Sequence, residues 1–140
     1  MPRYYNPNTS FESLSSNNVS MADVKNAEKA LSLRFDKQLT DYLLNPIEEE
    51  DGAYCEYVGL NRDGYLNTVD ATLEYRGESD NRFTAFPNTA VVLASTGNGD
   101  CYFYDNAKGR VGLYAHDGKI TYPKEVGTLD QFIEYAFKAH

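Results

Sequence analysis

The 140-residue chain has no tryptophan, two cysteines, and 13 lysines and arginines against 21 aspartates and glutamates. Cys55 and Cys101 lack the CxxC spacing of zinc sites and the cysteine density of small secreted scaffolds, so we expect reduced thiols. The shortage of basic residues disfavours direct nucleic-acid binding, because nucleic-acid-binding proteins neutralise phosphates with clustered lysine and arginine. The net charge of −8 instead favours a basic partner.

Long apolar runs are also missing from the sequence. No stretch approaches the roughly 20 consecutive apolar residues that a membrane span needs. The segment from Met1 to Ser20 lacks the apolar centre of a signal peptide. We therefore expect no membrane partner and a cytoplasmic location.

The length and composition predict one water-soluble domain. With 41% hydrophobic and 24% charged residues, a chain of this length can bury a single core. Residues 1–18 are polar and show no period, so we expect a flexible N-terminal arm in which only Phe11 and Leu14 could dock. The domain is predicted at residues 19–140.

Two helices are predicted at the start of this domain. Ser20, with Asp23 three residues later, is typical of a capping box, and it predicts a helix from about Met21 to Leu31. Asp36 can cap a second helix, which Asn45-Pro46 ends because the residue before a proline disfavours the helical conformation.

The middle of the chain gives weaker signals. Four consecutive carboxylates, Glu48 to Asp51, would repel one another in any buried setting, so we expect a solvated loop. The tyrosine-rich stretch from Ala53 to Leu60 is predicted as a strand. Apolar spacing predicts a short helix from Thr68 to Arg76, with Gly77 as its stop.

From Thr89 onward the pattern favours short antiparallel strands. The runs end at residue types that supply the positive φ of hairpin turns, such as Gly97-Asn98-Gly99 and Asp117-Gly118. The predicted strands are Ala90 to Thr96, Cys101 to Asp105, Arg110 to Ala115 and Lys119 to Tyr122.

A final amphipathic helix is predicted near the C-terminus. Thr128 and Gln131 form a second predicted capping box, and the apolar residues that follow recur at helical spacing. The element order predicts an α+β fold in a single domain. It is an antiparallel meander with helices packed on one face, two of them N-terminal and one C-terminal.

No motif in the sequence specifies a reaction. Gly97-Asn98-Gly99 lacks the third glycine of a dinucleotide loop, and a strand rather than a helix follows it, so a hairpin turn is expected. His116 and His140 have no serine or cysteine in a nucleophile motif, and His116 is interpreted as a turn residue. We predict no catalytic residues and no cofactor.

A metal site is not expected either. Asp100, Asp105, His116 and Asp117 do not follow the alternating register of a calcium loop. Glu48 to Asp51 lie side by side on one loop, whereas glycoside hydrolysis needs two acids facing across a cleft.

The acidic excess is concentrated in one segment. Residues 48–107 hold three basic and twelve acidic side chains, a net charge of −9. Tyrosine supplies large contact areas with a polar tip at recognition surfaces, so acid and tyrosine together suggest a protein-binding face. The alternative is that half of these tyrosines fill the core and the acids keep the protein soluble. The tyrosines concerned are Tyr54, Tyr57, Tyr65, Tyr75, Tyr102 and Tyr104.

Several sequence features resemble the SUKH superfamily over roughly residues 19–137. The segment Val24 to Leu44, with Ala27-Glu28 and Phe35, is similar to the helix, corner and helix of that family. Val91-Val92-Leu93-Ala94, Gly97-Asn98-Gly99-Asp100 and His116-Asp117 resemble its sheet, and Leu129 to Phe137 resembles its final helix. The superfamily includes bacterial immunity proteins against polymorphic toxins and fungal regulators of cell-wall synthesis.

The resemblance implies a non-enzymatic immunity protein that binds and neutralises a cognate toxin domain. A nuclease is one candidate, because nucleases have basic substrate grooves that an acidic inhibitor would complement. A regulatory or scaffolding interaction module and an undetected enzyme remain alternatives. The identity of the toxin and the oligomeric state stay open. The predicted partner-binding residues are Glu48, Glu49, Glu50, Asp51, Glu74, Glu78 and Asp80, with Tyr54 and Tyr57 as anchors.

Overall fold

The computed structural model describes residues 19–78 and 85–139. The predictions for the N-terminal arm, including Phe11 and Leu14, and for Asp80 and His140 lie outside these residues. The helices are α1 (Met21–Leu31), α2 (Lys37–Leu44), α3 (Thr68–Glu78) and α4 (Leu129–Ala136). The strands are β1 (Glu56–Tyr57), β2 (Ala90–Ser95), β3 (Cys101–Asp105), β4 (Arg110–Tyr114) and β5 (Ile120–Thr121).

The predicted helix caps at the start of the domain are confirmed. The backbone N–H of Asp23 donates to Ser20 Oγ at 3.2 Å, and the N–H of Ser20 donates to the Asp23 carboxylate at 2.9 Å. The carboxylate of Asp36 accepts from the N–H of Leu39 at 2.9 Å. Each side chain satisfies an N–H that has no partner inside its helix, so the helices begin where the sequence indicates. Among the described helices, none is long and apolar enough to cross a bilayer.

The strands form one antiparallel sheet in the order β1-β2-β3-β4-β5, which is the predicted meander. Gly97 and Gly99 take φ values of 89° and 98°, and Gly118 takes 90°. Residues with a Cβ rarely adopt such values, and this is why glycines stand at these turns. The α+β fold class is confirmed.

Buried side chains cover both faces of the sheet. Leu93, Tyr104 and Val111 belong to a cluster with α1, α2 and α4, so these three helices lie on one face as predicted. Val92 and Phe103 belong to a second cluster, because successive residues of a strand point to opposite faces. The second cluster includes Ala71 of α3, Phe86 and Tyr114.

The third helix packs along β2, and a polar contact joins the two elements. The N–H of Val92 donates to the hydroxyl of Thr72, which is fully buried, at 3.0 Å. The prediction that Gly77 stops this helix is wrong, since the helix continues to Glu78 and Gly77 does not take a positive φ. A glycine that ends a helix usually adopts the left-handed conformation. Gly77 lies inside the helix and does not adopt that conformation.

The predicted strand from Ala53 to Leu60 is much shorter than expected. Within the described part of the chain, only Glu56 and Tyr57 form strand pairs with β2, and the N–H of Val58 adds one hydrogen bond to the carbonyl of Leu93 at 3.0 Å. The N–H of Cys55 donates to the carbonyl of Ala136 at 3.0 Å, and the N–H of Tyr57 donates to the Glu49 carboxylate at 2.7 Å. These backbone groups are therefore satisfied by α4 and by a side chain rather than by another strand.

Candidate partner-binding face

The acidic loop before β1 is held by the C-terminal end of α4. The N–H of Glu50 donates to the carbonyl of Phe137 at 2.9 Å, and the N–H of Ala139 donates to Glu50 Oε1 at 2.9 Å. Phe137 is itself buried in the core. The loop is thus anchored at its centre, and its remaining carboxylates have a defined position on the surface.

Glu49 departs from the expectation of a solvated run. Its side chain is 20% exposed and forms an ion pair with Arg62, at 2.8 Å between Oε1 and Nη2. Burial by itself would raise the pKa of Glu49, but hydrogen bonds from Arg62 and from the N–H of Tyr57 hold its pKa below the usual range. The expectation that all four carboxylates are solvated is wrong at this position, because Glu49 fastens its loop to β1.

Tyr57 is also turned inward. It is fully buried, with ring centroids 5.7 Å from Tyr42 and 5.6 Å from Phe137. The prediction that Tyr57 is an anchor on the binding surface is wrong, because its ring fills the core. Its neighbour Glu56 is exposed, as the alternation of a strand requires.

Tyr54 lies on the surface beside the acidic loop. The residue is 53% exposed, and its ring centroid lies 5.0 Å from that of Tyr135, which α4 contributes. Glu50, Asp51 and Glu56 line the same depression of about 430 Å³ as Tyr54. We call this the loop depression.

A second cavity adjoins the loop depression through Glu56, which lines both. This cavity, of about 380 Å³, lies between α3 and the β2–β3 hairpin, and we call it the α3 cavity. Glu74 and Tyr75 line it from α3, and Tyr65, 60% exposed, lines it from the preceding turn. We define the acidic face by the exposed acidic residues and tyrosines of the two concavities: Glu50, Asp51, Tyr54, Glu56, Tyr65 and Glu74.

Three of the six tyrosines of the acidic segment lie in the core. Tyr57, Tyr102 and Tyr104 are buried, whereas Tyr54 and Tyr65 are exposed and Tyr75 is intermediate. Half of them therefore fill the core, as the alternative interpretation stated. Burial and the carboxylate of Asp36, to which Tyr104 donates at 2.5 Å, raise the pKa of Tyr104, so its phenol stays a neutral donor.

The histidine and aspartates that were considered as acid–base groups or metal ligands make hydrogen bonds within the fold. His116 lies in a turn, and its N–H and Nδ1 both contact Asp100 Oδ1, at 2.8 and 2.9 Å. Asp105 is buried and accepts from the hydroxyls of Thr89 and Tyr122. Within residues 19–78 and 85–139, no group of histidine, cysteine and acidic side chains is placed to hold a metal ion.

Comparison with known protein families shows which family the chain belongs to. The sequence model of the SMI1/KNR4 family (SUKH-1) matches residues 18–135. This chain belongs to that family. No curated protein and no solved structure gave a significant match. The match to SUKH-1 spans most of the chain, from three residues before α1 into α4, and it includes every residue of the acidic face.

In this SUKH-1 protein, some of the predicted binding residues lie together. Glu50, Asp51 and Tyr54 line the loop depression, and Glu74 lies in the adjoining cavity. Glu48 is exposed on the same loop, and Glu78 is the last residue of α3.

Two residues of the acidic face, Glu56 and Tyr65, are not among the partner-binding residues predicted from the sequence. Glu56 could have been found from strand alternation, since an inward Tyr57 implies an outward Glu56. Tyr65 lies in the short helical turn Gly64–Leu66, and no sequence pattern distinguishes it from a core tyrosine.

Proposed function

We propose that this SUKH-1 protein is a non-enzymatic immunity protein. In this proposal the acidic face binds a basic surface of a cognate toxin domain in the cytoplasm and blocks its activity. The supporting observation is that exposed carboxylates and phenols line two adjoining concavities at the β1 edge of the sheet. The resemblance to a superfamily that includes toxin immunity proteins points to the same role.

The chemistry of the acidic face suits a basic protein surface. Carboxylates on one partner and lysine or arginine on the other raise the association rate and reject wrong partners. Tyr54, whose ring packs at a tilt against that of Tyr135, supplies an aromatic area of the kind that dominates interface energetics. Because the acidic loop is already bound to the end of α4, little conformational entropy is lost when a partner docks there.

The first test is protection of cells. Co-expression with the toxin-like product of an adjacent gene should restore growth that the toxin alone abolishes. A catalytically inactive toxin variant serves as the ligand for binding measurements. Growth arrest in spite of soluble, folded immunity protein would contradict the proposal.

The second test asks whether the acidic loop makes the contact. The variant E48Q/D51N removes two exposed charges of the loop and leaves the structural Glu49 intact. We expect its association rate with the toxin at low salt to fall about tenfold, because electrostatic steering is lost. The matched control E125Q/E134Q removes two exposed charges elsewhere on the surface and should change the rate little. Equal rates for the two variants would rule the loop out.

A regulatory or scaffolding module is the second candidate, because the superfamily resemblance extends to fungal regulators. The same acidic face would then bind a basic segment of a signalling or structural protein. Absence of protection together with specific capture of a non-toxin partner, weakened in E48Q/D51N, would favour this role.

A further inference from the structure

The α3 cavity differs from a plain acidic surface because it is concave and has an apolar floor. Val58, Ala71, Val92 and Cys101 are buried residues that line its base. Two elements contribute one carboxylate each, Glu56 from β1 and Glu74 from α3. Phenol rings stand beside them, from Tyr65 and Tyr75.

The walls of this cavity are joined to each other before any partner binds. The hydroxyl of Tyr75 donates to the carbonyl of Gly99 at 2.7 Å, which ties α3 to the β2–β3 hairpin. The ring of Tyr75 contacts Tyr114 edge-on, with centroids 5.8 Å apart, and also packs on Phe86. Deeper in the fold, the contact from Val92 to Thr72 at 3.0 Å holds the same helix to β2. A preformed cavity loses little entropy when it is filled.

We infer that the α3 cavity receives one arginine side chain of the protein partner. The inference deepens the proposed function and rests on it for the identity of the partner. The guanidinium group would lie among Glu56, Glu74 and the phenol rings, and the methylene chain of the arginine would cover the apolar floor.

Arginine fits this chemistry better than the other side chains do. Its planar fork has five donors and can serve two carboxylates from different elements at once. It also stacks on aromatic faces, and it is less strongly hydrated than the ammonium of lysine, so entering a half-apolar cavity costs it less. An apolar side chain would offer no hydrogen-bond donor to the carboxylates that line the cavity.

The cavity can be tested without the toxin, using the folded protein and small probes. Amide NMR spectra would follow titration with N-acetyl-arginine methylamide, and with the lysine and citrulline equivalents. Citrulline keeps the shape of arginine but has no charge. We expect saturable shifts at Ala71, Val92, Gly97 and Gly99 with the arginine probe, weaker shifts with lysine, and no saturable shifts with citrulline.

Matched charge variants complete the test. E56Q/E74Q should weaken binding of the arginine probe about tenfold or more, since two carboxylates that contact the guanidinium are neutralised. E125Q/E134Q carries the same change in net charge at distant sequence positions and should bind as the unmodified protein does. The inference would be overturned if the citrulline or the lysine probe bound as tightly as the arginine probe. It would also be overturned if the shifts lay outside the cavity, or if E56Q/E74Q bound the arginine probe as the unmodified protein does.

The outcome separates this inference from the proposed function. Cell protection without probe binding would overturn the arginine cavity and leave the immunity role standing. Probe binding at the cavity without cell protection would support the cavity and contradict the immunity role.

Discussion

The guanidinium of Arg62 binds both carboxylate oxygens of Glu49, with N–O distances of 2.8 and 3.2 Å. The same carboxylate accepts the backbone N–H of Tyr57 at 2.7 Å. Glu49 therefore connects the acidic loop, β1 and the segment that follows β1. An acid that looked like one of four equivalent surface charges therefore has a structural role. Of its three neighbours, Glu48 and Asp51 are exposed, and Glu50 accepts from the N–H of Ala139 and lies 3.8 Å from Lys138 Nζ.

Removing Arg62 should destabilise the fold measurably. In the Arg62→Ala variant, the Glu49 carboxylate is left partly buried without its cation, and we expect a loss of about 1–3 kcal/mol in the free energy of unfolding. Urea unfolding would measure the loss. The control is Lys37→Ala, which breaks an exposed pair with Asp41 and should cost less than about 1 kcal/mol. Equal losses in the two variants would mean that the Glu49–Arg62 pair is no more than a surface contact.

The contribution of Glu49 to the free energy of unfolding should decrease as the pH falls. The pKa of Glu49 in the folded state lies below that of an unfolded glutamate, which is about 4.3. Its contribution is therefore fully present above that pH and is lost as the pH falls through the lower folded-state value. Urea unfolding between pH 7 and pH 3 should show a gap between the unmodified protein and Glu49→Gln that narrows in acid. A gap that is constant or widens in acid would contradict the lowered pKa.

Substitutions at Tyr54 and Tyr57 should affect different properties, partner affinity at Tyr54 and stability at Tyr57. Tyr54→Ala removes an exposed ring of the acidic face, and we expect a loss of about tenfold or more in partner affinity with little change in stability. Tyr57→Phe removes a buried hydroxyl that has no hydrogen-bond partner among the described residues. We expect unchanged affinity and a stability equal to or up to about 1 kcal/mol above that of the unmodified protein. Calorimetric titration and thermal unfolding of both variants would check this, and the opposite pattern would assign the contact to Tyr57.

Two glycines should respond oppositely to an added methyl group. A Cβ at Gly112 would lie 2.5 Å from Phe103 Cζ and 2.9 Å from Tyr122 Cε1, so Gly112→Ala should cost about 1–3 kcal/mol. A Cβ at Gly77 meets nothing within 4 Å among the described residues, and Gly77→Ala should raise stability by up to about 1 kcal/mol through better helix propensity. Denaturant midpoints would rank the variants, and a stable Gly112→Ala would indicate that the second cluster is loosely packed.

Much of the fold followed from local signals. The Ser20 and Thr128 capping boxes lie where their spacing indicated, because each is completed within one helical turn. The hairpin glycines were also recognisable, since positive φ is a local requirement. The predicted strand from Ala53 to Leu60 is too long because part of its backbone bonds outside the sheet. The N–H of Cys55 donates to Ala136 of α4, about 80 residues further along the chain, and the N–H of Tyr57 donates to the Glu49 carboxylate.

The sequence by itself determined the element order, the caps and turns, and the concentration of negative charge in the middle of the chain. Only the tertiary structure decided which of those charges and phenols meet solvent. Glu49 points inward because it pairs with Arg62, and Tyr57 points inward because its ring packs against Phe137. Glu50, Tyr54 and Glu56 are exposed. Residues close in sequence have the same composition signal, but burial depends on contacts from distant segments, and these form only when the whole chain folds.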